Sequence, residues 1–91
     1  MAMELQRLRE RAHILEGLVR VIDDRVELVL TTARASDRRE AINDLMSIFD
    51  LSEVQAVHAL DMPFGRVTRL GREQLGQELA ELKQHIAELE E

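Results

Sequence analysis

Apolar residues recur at Leu5, Leu8, Ala12, Leu15, Val19, Ile22, Val26, Val29 and Ala33, alternately three and four apart. Such a stripe holds one narrow seam of side chains against a neighbouring helix. A second stripe, Ile14, Leu18, Val21 and Leu28, runs beside it from about a third of the way along. The pattern predicts one long helix over 4–34 whose seam broadens into a wide buried face. The stripe stops between Thr31 and Ser36, and Asp37 followed by Glu40 has the spacing of a capping box. A helix over 37–49 follows, with Ala41, Ile42, Leu45, Met46, Ile48 and Phe49 as its apolar positions. Ser52 and Gln55 repeat the device for a helix over 53–62 carrying Val54, Val57, Leu60 and Met62. Pro63 closes it, because the residue before a proline avoids helical angles. Thr68 is the N-cap of a last helix over 68–91, where Leu75, Leu79, Leu82, Ile86 and Leu89 form a second heptad seam.

Two seamed helices thus stand at opposite ends of the chain with two short helices between them. Folding the last helix back against the first buries both seams. The expected fold is all-α: a single domain over 1–91, an antiparallel two-helix coiled-coil arm capped by a small globular knob of two short helices. The charged faces, such as Arg7, Arg9, Glu10, Glu78, Glu81, Lys83, Glu88 and Glu90, then stay in water. There is no internal repeat and no low-complexity tract.

Composition narrows the chemistry. A single domain of 91 residues buries only about 60 to 65% of the surface its unfolded chain exposes, so a partner would add to its stability. The chain has no Cys, Trp or Tyr and two Phe, which excludes disulfides and thiolate chemistry. A formal charge of −6 argues against direct nucleic-acid binding. No apolar run approaches the ~20 residues of a membrane span, and MAMELQRLRER lacks the apolar core of a signal peptide. The expected location is the cytoplasm.

His13, His58 and His85 lie far apart, none in a pair at helical spacing, and predict no metal site. Ser36, Ser52 and Thr68 are accounted for as helix-start residues, so no activated nucleophile is evident. Gly65 and Gly71 lack the flanking Lys and Ser/Thr of a phosphate loop. The reading is of a non-enzyme without cofactors. Gly17 and Gly76 lie inside predicted helices, where each marks either a close backbone approach or a tolerated surface glycine.

The order RERAHILEGL, then LSEVQAVHALDM some forty residues later, then a Thr-started acidic heptad helix, resembles the A subunit of bacterial DNA gyrase and topoisomerase IV. The likeness runs from about Leu8 to Glu90 and falls on the outer end of the long coiled-coil arm and the dimerisation knob, the exit gate. The resemblance implies a second copy meeting the same surface at the knob, closing a gate through which a DNA duplex leaves. The family usually continues after LDM with a helical turn of the form RLRRLTGLE, whereas this chain has Pro63, Phe64, Gly65, Arg66, Val67, Thr68, Arg69, Leu70 and Gly71, without the acidic residue at position 71. Where the family tends to place Gln, Ala and Ile, it has Val57, His58 and Ala59. The family's cleavage tyrosine lies well upstream of this stretch, and the chain has no Tyr, so it cuts no DNA by that chemistry.

A homodimer closed through Val57, Leu60, Met62, Pro63 and Phe64 is the leading expectation, with Leu5, Leu8, Ala12, Leu15, Leu75, Leu79, Leu82, Ile86 and Leu89 as the arm's seam. The competing role for Phe64 is to fold back onto the knob's core. For His58 the choice is between pH tuning of the interface and a structural hydrogen bond, the latter favoured. An adaptor binding a topoisomerase subunit is the second function. DNA binding through Arg7, Arg9, Arg11, Arg66, Arg69 and Arg72 is the third and weakest. The sequence fits either a segment of a longer topoisomerase chain or, slightly favoured by the atypical turn and the start at MAMELQ, a short free-standing relative.

Overall fold

The structure, a computed structural model, describes residues 2–91. It consists of α1 (Ala2–Ile22), α2 (Arg25–Arg34), α3 (Arg38–Phe49), α4 (Glu53–Leu60), a 3-10 turn (Phe64–Val67) and α5 (Arg69–Glu90), with no strand among the described residues.

The run expected as one helix over 4–34 is two helices, broken at Asp23 and Asp24. Aspartate competes with helical backbone and is unfavourable at the negative end of a helix dipole. Asp23 is taken up by Arg72 of α5, whose Nε donates to Oδ1 at 2.6 Å and whose Nη2 donates to Oδ2 at 3.3 Å. That hydrogen bond outweighs the opposing effect of desolvation and, with a lesser contribution from the Arg72 and Arg25 charges, holds the Asp23 carboxyl below its usual range. The break also changes which stripe is buried. Ala12, Leu15 and Ile22 of the first stripe are buried before it, but Leu28 and Thr31 are buried after it, while Val26 and Val29 turn outward.

Helices α1 and α5 lie antiparallel. The ion pairs at the two ends show the direction, Arg9 with Glu90 and Asp23 with Arg72, with Arg11–Glu78 and Glu16–Lys83 between them. Ala12, Leu15 and Leu75 are buried, and Leu5, Leu8, Leu79, Leu82, Ile86 and Leu89 are half-buried; Leu15 and Leu75 share one core cluster, with Leu79 and Leu82 packed against it. Fully buried Leu15 and Leu75 each contribute about 1.5 to 3 kcal/mol by transfer from water.

At the other end α3 and α4 close over the α1–α2 elbow, and Ile22, Ile42, Leu45, Phe49, Leu51, Ala56 and Ala59 form one core with Leu15 and Leu75. Both short helices start on side-chain caps. Asp37 accepts from the Glu40 amide at 2.9 Å, and Ser52 with Gln55 forms a complete reciprocal capping box. The α3 helix ends with Asp50 in the left-handed region at φ 54°, and Arg20 donates from Nη1 to the Phe49 and Asp50 carbonyls at 3.2 and 2.7 Å. The molecule measures 46 × 26 × 18 Å with a radius of gyration of 14.1 Å. A compact chain of this length would have about 12 Å, so the extra length is the α1–α5 pair.

Candidate interaction surface

Gly17 marks a close interhelical approach. A Cβ there would stand 2.8 Å from Gln55 Cβ, so α4 crosses α1 at a distance that only glycine permits. Gln55 is 3% exposed. Its Nε2 donates to the His13 carbonyl at 2.6 Å and its Oε1 accepts from the Ser52 amide at 2.9 Å. His13 Nε2 lies 2.7 Å from Ser52 Oγ and Nδ1 lies 3.4 Å from Gln55 Nε2. His13, Gly17, Ser52 and Gln55 therefore fix α4 on α1. Gly76, by contrast, marks no crossing, its nearest neighbour being Arg72 of its own helix.

Past Leu60 the backbone leaves the helix through Asp61 and Met62. Pro63, in extended conformation, starts the 3-10 turn, which the sequence reading did not foresee. Thr68 Oγ1 donates to the Gly65 carbonyl at 2.8 Å and accepts from the Gly71 amide at 3.0 Å, so one hydroxyl both closes the turn and caps α5. The turn lies directly on Gly71, where a Cβ would sit 2.5 Å from the Arg66 carbonyl oxygen. The absence of a side chain at 71 and the Pro-Phe-Gly turn are thus one structural unit.

That unit holds Phe64 83% exposed, so Phe64 does not fold back onto the core. It stands at the rim of an apolar groove of about 310 Å³ lined chiefly by Val29 and Ala33 of α2 on one side and Leu60, Met62 and Val67 on the other. Of the residues expected to form a dimer patch, Leu60, Met62 and Phe64 line this groove. Val57 is half-buried against the core, and Pro63 is exposed beside the turn. The sequence reading missed the α2 wall. Val26, Val29, Leu30 and Ala33 form an outward stripe at helical spacing, the first three exposed by 68%, 49% and 39%. The pair Asp23-Asp24 was the available signal, since a break there frees the following residues from the first seam.

Just after α4, Asp61 receives a two-pronged ion pair from Arg38 of α3, at 2.6 and 2.8 Å. Hydrogen bonding to Arg38, more than its charge, keeps the Asp61 carboxyl below its usual range. Among the described residues no three His, Asp or Glu side chains converge as metal ligands. No helix among the described residues is long and apolar enough to cross a membrane.

The family of DNA gyrase/topoisomerase IV A subunits matches residues 1–91. The chain belongs to that family. It is 49% identical over 88 residues to the DNA gyrase A subunit of Campylobacter jejuni, a match covering 97% of the chain and 10% of the relative. It is 44% identical over 88 residues to the DNA gyrase A subunit of Staphylococcus epidermidis, covering 96% and 10%. For Staphylococcus aureus the figures are 42% over 87 residues, 94% and 10%. The chain thus spans about a tenth of the length of these gyrase A subunits.

Proposed function

We propose that the chain is a non-catalytic homodimerisation module equivalent to the exit gate of a type IIA topoisomerase. In this reading α1 and α5 are the arm, α3 and α4 the knob, and two copies meet through the knob with the Pro63–Phe64 turn at the contact. Such a module works in the cytoplasm, where the DNA duplex it passes is found. The carrying observation is Phe64, 83% exposed beside an apolar groove. A two-fold contact needs an exposed apolar surface complementary to itself, and a large unpaired aromatic on a charged surface is the feature a partner would cover. The gyrase A relatives support the gate role. The chain contains no Tyr to form a DNA–tyrosyl bond, so the role is mechanical: binding energy at the knob sets how readily the two copies part.

Light scattering across a hundredfold dilution tests this. The native chain gives a dimer mass that declines only at the lowest concentrations, and Phe64→Glu gives a monomer of unchanged helicity. A native chain that is monomeric at every concentration overturns the proposal.

A further inference from the structure

The groove and Phe64 lie side by side on one face, and each lacks a counterpart within the chain. Phe64 lies on the rim but does not fill the cavity beneath it, which at about 310 Å³ has room for a phenyl ring. The turn that holds Phe64 outward is fixed on both sides, by Pro63 before it and by the Thr68 hydroxyl and the Gly71 contact after it. Little conformational freedom of the backbone is lost when Phe64 meets a partner.

We infer that the occupant of the groove is Phe64 of a second copy of this chain, so that the dimer closes by reciprocal insertion of two phenylalanines. This rests on the dimerisation reading and specifies its contact. A two-fold operation that brings one Phe64 over the partner's groove necessarily brings the other Phe64 over the first groove. The available area fits. A standard interface of about 800 Å² per partner is only a little over half apolar. With their observed exposures, Phe64, Val26, Val29 and Leu30 offer on the order of 400 Å² together, an aromatic contributing the largest single share. Val29 and Ala33 of the α2 stripe thereby acquire a role, as the wall against which the incoming ring packs. Two chains of charge −6 each repel at long range, so the contact draws on burial and is not weakened by added salt.

The test uses two variants that remove opposite halves of the contact. Phe64→Ala deletes the inserted ring and keeps the groove; Ala33→Trp fills the groove and keeps the ring. Both positions are exposed, and circular dichroism checks that each variant keeps its helicity. Each variant alone dimerises at least tenfold more weakly than the native chain. Mixed in equal amounts they form a heterodimer in native mass spectrometry well in excess of the twofold ratio over each homodimer that random pairing gives, because the ring of the Ala33→Trp chain still finds the open groove of the Phe64→Ala chain. A Phe64→Ala chain that dimerises with the native constant, or a mixture without excess heterodimer, overturns the insertion and assigns the groove to another occupant, while leaving dimerisation itself standing. A native chain that does not dimerise overturns both.

Discussion

Glycine at position 17 shows how one residue's effect changes sign with context. In an isolated helix Gly17→Ala would gain about 1 kcal/mol, yet here the new methyl would lie 2.8 Å from Gln55 Cβ. Gln55 cannot move aside cheaply, because its amide bonds both the His13 carbonyl and the Ser52 amide. The substitution is therefore expected to destabilise by about 1 to 3 kcal/mol, the usual range for overpacking, as read from urea unfolding. A gain in stability would show that the α1–α4 crossing is looser than described. Asp50 gives the opposite case. It holds a left-handed conformation at the end of α3, its backbone is already served by Arg20, and a Cβ is disfavoured there. Asp50→Gly should stabilise by about 0.5 to 1 kcal/mol, and a lower melting temperature would contradict this.

Among the elements, the 3-10 turn and the two bridging ion pairs decide how the α3–α4 end is held. Gly71→Ala would place a methyl 2.5 Å from the backbone oxygen of Arg66, so the turn must shift. Tryptic cleavage after Arg66 is expected to accelerate severalfold with little change in helicity; an unchanged rate would show that the turn does not depend on Gly71. The ion pairs add a pH dependence. The folded-state pKa values of Asp23 and Asp61 lie below the ordinary carboxylate value of 3.8. Their contribution is therefore complete above that value and is lost as pH falls through the lower folded values. Thermal midpoints should drop below about pH 4, and less steeply for Asp61→Asn, which has no carboxylate to protonate; an equal drop would remove Asp61 from the account. These elements also mark where the pattern stopped being informative. Leu15 and Leu75, each an apolar position of the periodic pattern, fall in one buried cluster, because a buried helix face leaves a period in the sequence. The same spacing continued through Val26 and Val29, which face solvent, because periodicity does not register the break that Asp23 makes on reaching Arg72. Pro63 announced the end of α4, but the turn after it depends on Thr68 and Gly71 meeting Gly65 and Arg66, a contact that no local pattern encodes.

For the whole molecule, the α1–α5 pair and the α2–α4 end lie at opposite extremes of a body 46 Å long, so where two copies touch is a question of distance. The chain has no cysteine, so a single introduced one carries a spin label at one place, and every distance measured in a dimer is between copies. Ser36→Cys marks the exposed link between α2 and α3, and Glu88→Cys marks the last turn of α5. Pulsed electron resonance on the two labelled dimers measures the central claim directly. Association through the knob predicts a short, well-defined distance between Ser36 labels and a much longer one between Glu88 labels. The reverse order would mean that the copies pair along their terminal helices, and would contradict a contact at Phe64.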